Sequence, residues 1–256
     1  MRNIWIICRK ELRTYFVSPI GYAVITLFAV IFGIYFYIII YEYMNYMFRA
    51  QMMGGGGPTT NINEQIIRPI LGFAGTIALF VVPIVSMRLF AEEKRNGTME
   101  LLLTSPVEDL GIVLGKWLAA LLLYACALGT SLLSVLLLFA WGKPDWKPVA
   151  VGYLGLVLQG ACLLAFGAFI SVLTSNQIIA AGITFFSSLV LFMFGWLTNF
   201  QDSLLSKILN YVSIITHMEN FSKGIIELKD VVFYVSFIFF ALFLILRQME
   251  SLRWRS

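Results

Sequence analysis

The residues best suited to chemistry gather in one charged stretch, RLFAEEKRNGTMELLLTSPVEDLGIVLGK, at positions 88–116. Glu92, Glu93, Lys94 and Arg95 should continue a helix out of the preceding apolar run, and Asn96-Gly97 can end it. Thr98 to Thr104 then forms a second short helix, stopped by Ser105-Pro106. Leu101, Leu102 and Leu103 beside Glu100 give that helix an apolar face in a place where only cytoplasm or a partner can meet it. Phosphate chemistry is not encoded here. Gly111-x-x-x-Gly115-Lys116 has one residue too few between its glycines, and Trp117 stands where a phosphate loop needs Ser or Thr. Gly54 to Gly57, followed by Pro58, lacks a preceding strand and a following Lys-Ser/Thr, so it reads as a linker. His217 lies beside Met218 and Glu219 with no second metal ligand nearby in sequence, which favours a helix cap or interface contact. Cys8, Cys126 and Cys162 form no C-x-x-C pair and read as small core residues.

The elements that must carry this stretch follow from composition. The chain is 60% hydrophobic and 12% charged, with a mean hydropathy of +0.87, whereas soluble domains average about 25% charged residues. Crossing a bilayer takes about 20 apolar residues in a helix. Uncharged runs extend over Thr14–Tyr41, Pro69–Met87, Trp117–Gly142, Pro148–Gln201 and Val231–Leu246. The fourth holds 54 residues, and the polar turn Thr174-Ser175-Asn176-Gln177 divides it in two. The fold class is therefore all-α: a single polytopic membrane domain over 1–256 with six spans, placed at 20–41, 69–90, 116–141, 149–174, 178–197 and 231–247. The last run holds 16 uncharged residues, and Arg247 can snorkel to complete the crossing. The first apolar run is too long for a cleaved signal and lacks a small-residue cleavage site.

Six spans place both termini on one side. Eleven basic residues fall on that side and seven on the other, so the positive-inside rule puts the termini and the 88–116 loop in the cytoplasm. Residues 2–16 separate Ile4, Trp5, Ile7, Leu12, Tyr15 and Phe16 from Arg2, Arg9, Lys10 and Arg13 around a helix, which suits an interfacial position; Ser18-Pro19 ends it. Across the membrane, 42–68 reads as a mobile loop. The segment 198–230 reads as amphipathic, with Leu204, Leu205, Ile208, Leu209, Val212 and Ile215 opposite Asp202, Ser203, Lys207 and Asn210.

The stretch MRLFAEEKRNGTMELLLTSPVEDLGIVLGKWLA resembles the link between spans two and three of ABC-2 type transporter permeases, through its Glu-rich helix, Gly-Thr, x-Glu-x-Leu-Leu and Ser-Pro. RKELRTYFVSPIGY is similar to that family's entry helix, and HMENFSKGIIELKDVVFYVSF to its approach to span six. Within the family the chain most resembles the gliding-motility-associated (GldF-like) permeases, with NosY-like permeases as near relatives. The resemblance implies a permease subunit of an inner-membrane transporter, working with a cytoplasmic ABC ATPase that itself binds ATP and Mg and with a second permease copy or a related one. It also implies that the coupling loop 91–106 carries a coupling helix near 97–104. Glu92, Glu93, Lys94, Arg95, Gly97, Thr98, Glu100, Leu101 and Leu102 are its contact candidates. Pairing would run through spans one, two and five, where Ala181, Gly182 and Ser187 permit close helix approach.

A membrane enzyme would need a catalytic group within a span, and the reading places no Asp, Glu, His, Lys or Arg inside one. Serine and cysteine occur there without a base partner. The expectation is thus no catalytic residue, cofactor or metal in this chain, and no nucleic-acid partner. The competing reading is a scaffold in membrane lipid that anchors an ATPase and an external accessory protein.

Overall fold

The computed structural model describes residues 2–52, 61–103, 107–142, 144–197 and 204–253. Among them every regular element is helical: α1 (Arg2–Val17), α2 (Pro19–Met52), a π-helical turn (Asn63–Ile67), α3 (Arg68–Ser86), α4 (Ala91–Arg95), α5 (Met99–Leu103), α6 (Asp109–Trp141), α7 (Trp146–Leu173), α8 (Gln177–Leu197), α9 (Leu204–Val212), α10 (Ile214–Ser222) and α11 (Leu228–Arg253). Six helices, α2, α3, α6, α7, α8 and α11, are long and apolar enough to cross a membrane.

The centre of the bundle is α3 against α7. About two thirds or more of their apolar stretches are enclosed, 67% and 72%, against 17% for α2 and for α8. Small residues on α7 allow its close packing. A side chain at Gly160 would begin 2.0 Å from the Tyr124 ring, and one at Gly167 would begin 2.2 Å from Ser86 Oγ. Glycine at these two points lets α6 and α3 approach α7 closely, which gains dispersion contact where hydrophobic burial drives little, lipid being as apolar as leucine. Buried polar groups are tied to backbone carbonyls: Trp117 Nε1 donates to Ala161 O at 3.1 Å, and Tyr234 OH to Ile214 O at 3.0 Å.

The connections sort to two ends. At the end that holds the termini, Lys116 meets Glu11 and Glu93, and Arg253 lies 3.6 Å from Asp109. At the opposite end Asp145 N donates to Asn63 Oδ1 at 3.2 Å, and Arg68 pairs with Glu219 at 2.9 Å.

Several boundaries differ from the sequence reading. The first span was placed at 20–41, with a loop beginning at 42; α2 instead continues to Met52, 34 residues or about 51 Å, well beyond a hydrocarbon core of about 30 Å. Nothing between Glu42 and Met52 breaks a helix. Gly54 to Pro58 and Thr60 lie outside the described residues. Span two, placed at 69–90 and expected to run on through Glu92, ends at Ser86 with Pro83 inside its last turn. A turn follows over 87–90 before α4 begins. Span three, placed at 116–141, starts at Asp109, so Lys116 lies two turns inside the helix. The segment 198–230 contains two short helices and the start of α11; Asp202 and Ser203 fall outside the described residues. Gly224, at φ +80, turns the chain toward α11 while packed on Pro148.

Candidate functional site

The charged stretch folds as a helix, a reversal and a second short helix, and each join has a local cause. Where α3 has stopped, Phe90 N and Ala91 N both donate to Ser171 Oγ of α7, at 3.1 and 3.0 Å. Ser171 Oγ in turn donates to Met87 O at 3.0 Å. A buried hydroxyl on another helix thus takes the place of an N-cap residue, satisfying two of the amides that a helix start leaves open. The helix ends as cleanly. Gly97 sits at φ +69, Thr98 N donates to Glu93 O at 3.0 Å, and Gly97 N donates to Lys94 O at 3.3 Å. This is the paired bonding of a Schellman motif, with glycine at the left-handed position. It ends α4 at Arg95 and sends α5 off at a new angle, as the Asn96-Gly97 pair suggested.

The candidate residues divide by where their side chains go. Glu92 takes both Arg88 nitrogens, at 2.7 and 2.8 Å, one turn away on its own chain. Lys94 reaches into the bundle and donates to Val172 O in the last turn of α7, where a cation also meets the negative end of the helix dipole. Glu93 turns inward, 17% exposed, onto Lys116 at 2.8 Å. Arg95, Gly97, Thr98 and Glu100 are exposed, and Thr98 Oγ1 lies 3.4 Å from Glu93 O. Leu101 projects from α5 with 71% of its surface open, while Met99 on the other side is buried. The side chain of Leu102 lies outside the described residues, as do Thr104, Ser105 and Pro106. The nine candidates therefore do not present one surface. Glu92, Glu93 and Lys94 brace α4, and Arg95, Thr98, Glu100 and Leu101 face outward.

The sequence reading missed the group that organises the brace. Lys116 stood at the boundary between the loop and span three and was counted among the cytoplasmic basic residues; it is 2% exposed. Its Nζ lies 3.0 Å from Glu11 Oε1 of α1 and 2.8 Å from Glu93 Oε1 of α4, and 5.6 Å from the centre of the Phe90 ring. One ammonium thus joins the entry helix, the charged loop and the helix of the third span, which begins seven residues before Lys116. Such a group persists in a low-dielectric setting only when its charge is paired. A signal was present: Lys116 falls one and two turns before Ala119, Ala120 and Leu123, the buried stripe of α6.

At the opposite end His217 also has an internal role. Nδ1 lies 2.6 Å from Asp230 Oδ1 and Nε2 lies 2.9 Å from Tyr211 O; the ring stacks on Phe233 with centroids 4.0 Å apart. It clasps α9, α10 and α11 together, with Asn220 donating to Asp230 Oδ2 at 2.9 Å. The three cysteines are free thiols, with Cys8 and Cys162 buried and Cys126 exposed on α6.

Six apolar helices, with an entry helix and a helix–reversal–helix bound at one end, fit what the loop's resemblance implies. The family model for ABC-2 family transporter proteins matches residues 5–247. The chain belongs to the ABC-2 transporter family. Among curated proteins it is similar to the probable multidrug ABC transporter permease YbhR of Escherichia coli strain K12, at 26% identity over 175 residues. The same figures hold for YbhR of Escherichia coli O157:H7. The match covers 68% of this chain and 46% of the relative, so the chain spans about half the length of the curated relatives it matches. Membership in the ABC-2 family supports a transmembrane permease subunit of an ABC transporter, and α3 to α6, with the bracing cation between them, carry the loop that the resemblance singled out.

Proposed function

We propose that this ABC-2 permease couples ATP hydrolysis by a separate cytoplasmic ATPase to export or force transmission across a bacterial inner membrane. The termini and the α4–α5 loop face the cytoplasm in this reading, and ATP and Mg belong to the ATPase. The observation that carries it is Leu101: a large aliphatic side chain 71% exposed on a short helix whose neighbour is braced from behind by Lys116, Lys94 and Ser171. A flexible loop offers a partner little leverage, whereas a helix fixed to two spans, α6 and α7, can pass a push into the bundle. The unit is a pair of permeases. In support, α8 turns Ile183, Phe186, Val190 and Met193 outward, and no heavy atom lies within 4 Å of a side chain added at Gly182, so a second helix can approach there. The likeness to gliding-motility permeases favours force transmission to an external accessory protein, and the YbhR likeness favours export of a solute.

The test is Leu101→Asp with Leu102→Asp. Burying a large aliphatic side chain contributes about 1.5–3 kcal/mol, and a buried aspartate adds a desolvation cost. The double variant should insert normally and lose its ATPase in a pull-down from detergent. Retention of the ATPase with unchanged stimulated hydrolysis refutes the coupling assignment. With the intact complex, ATP-dependent accumulation of a solute across vesicles separates export from a scaffold role.

A further inference from the structure

At the end opposite the termini, a cavity of about 600 Å³ opens between α3, α7, α8 and α10, within the size range of small-molecule sites. It lies across the membrane from the α4–α5 loop, and neither it nor its test depends on an ATPase. Its mouth carries the Arg68–Glu219 pair at 2.9 Å, with Lys223 also on Glu219 at 2.9 Å. Its floor is Gln159, seven residues below Arg68 at the level of Gly75, or about 10 Å deeper at the helical rise.

Gln159 is 2% exposed and has half of its amide in use. Nε2 donates to Gly75 O at 3.2 Å, which fixes the orientation of the amide. Oε1 has no hydrogen-bond partner among the described residues. A side chain at position 75 would begin 2.8 Å from that oxygen, so glycine is what leaves it room. A smaller cavity of about 140 Å³ adjoins, sharing Glu64, Arg68 and Ser222 as lining. There the buried Asn63 Nδ2 lacks an acceptor, while its Oδ1 is held by Asp145 N. The site thus offers one idle acceptor and one idle donor, both desolvated, beside a charged mouth where Arg68 and Lys223 pair with Glu219 and Glu64 is exposed.

That pattern selects a ligand. An apolar occupant would leave Oε1 and Nδ2 unsatisfied, each a recognised penalty. The carboxylates that line the cavity, Glu64 and Glu219, are both exposed; an ammonium at the buried floor would place its charge against a neutral amide, and an anion there would face a lone pair. A hydroxyl both donates and accepts, and carries no charge. We propose that the paired cavities bind an uncharged polyhydroxylated group, a sugar or polyol, either free or as the headgroup of a lipid, with one hydroxyl donating to Gln159 Oε1 and another accepting from Asn63 Nδ2. Phe192, Ile215 and Met218 supply the apolar wall against which the C–H face of such a group packs.

The full chain in maltoside-free nanodiscs tests this, with maltose as the free probe and glucosyl-diacylglycerol in the bilayer as the lipid-linked one; glucosamine and glucuronate are the charged comparisons, and phosphatidylethanolamine the lipid without a polyol. Saturable binding of maltose or of the glycolipid is expected, and which one binds identifies the source. Gln159→Leu should raise Kd at least tenfold. Gly72 lines the same cavity and has nothing within 4 Å of an added side chain, so Gly72→Leu should keep the fold and abolish binding even if Gln159→Leu does not fold. Absence of saturable binding by either probe, or binding that Gly72→Leu leaves unchanged, overturns the proposal in favour of a water-filled cavity. Equal binding of the charged sugars or of phosphatidylethanolamine overturns the assignment to an uncharged polyol.

Discussion

Replacing Lys116 by methionine keeps most of the side chain's length and removes only its charge. The side chain is 3% exposed, and the two carboxylates it holds are 15% and 17% exposed, at 3.0 and 2.8 Å. At an effective dielectric of about 20, each contact amounts to roughly 6 kcal/mol of gross attraction. The desolvation of three charged groups offsets most of this, so the intact triad adds little net stability. Removing the cation is a different matter, because Glu11 and Glu93 then remain largely enclosed with no opposite charge between them. Breaking a buried pair in this way costs about 3–5 kcal/mol. By contrast Arg88→Met removes an i,i+4 pair with Glu92, whose side chains are 15% and 34% exposed, and should cost about 1 kcal/mol or less. The measurement is SDS-induced unfolding in mixed micelles, followed by circular dichroism and extrapolated to zero SDS. A triple variant adding Glu11→Gln and Glu93→Gln should recover most of the loss, since no unpaired charge remains. If Lys116→Met falls within 1 kcal/mol of the parent, or the triple variant is worse than the single one, the reasoning about a confined ammonium fails.

Ser171→Ala deprives Phe90 N and Ala91 N of their acceptor and should destabilise by about 1–3 kcal/mol, read locally as faster hydrogen exchange at those two amides. Gly160→Val drives a side chain into the Tyr124 ring and should cost about 1–3 kcal/mol or more, checked by the same SDS titration. Glu219 has its carboxyl held below the ordinary value of 4.5 by the Lys223 hydrogen bond, with Arg68 adding to it. A carboxylate lowered on folding stabilises above its unfolded value and loses that contribution as pH falls through its folded value. The gap in melting temperature between the parent and Glu219→Gln should therefore be present at pH 7, shrink below about 4.5 and narrow with added salt.

The six spans were legible because a bilayer imposes one simple demand, an uncharged run about 20 residues long; five such runs occur, one long enough to be split in two by a polar turn and the last, of 16 residues, completed by Arg247. The reversal at Asn96-Gly97 was legible for a local reason, since a left-handed residue after a helix is usually glycine. What escaped depended on partners distant in sequence. The break at 87–90 rests on Ser171, about eighty residues away, and no local pattern announces it. Lys116 looked like one more loop cation because its two carboxylates belong to α1 and α4, and Glu93 looked like a contact for a partner because the same pairing was hidden. His217 was read as a cap or a contact; its actual neighbours, Asp230 and the Tyr211 carbonyl, become visible only when α10 and α11 are folded against each other. Exposed charge and buried charge look the same in a sequence, and only the bundle separates them.

The hydroxyl that starts α4 has a further meaning for how the protein is made. A chain that enters the membrane from its N-terminus presents residues 88–103 long before α7 exists. At that stage Phe90 and Ala91 have no Ser171 to receive their amides, and Lys94 has no Val172 carbonyl to meet. The loop therefore acquires its braced shape only once the fourth span has been inserted and has closed on the second. Half-made chains present residues 88–103 without this shape, and only a completed bundle displays the braced loop.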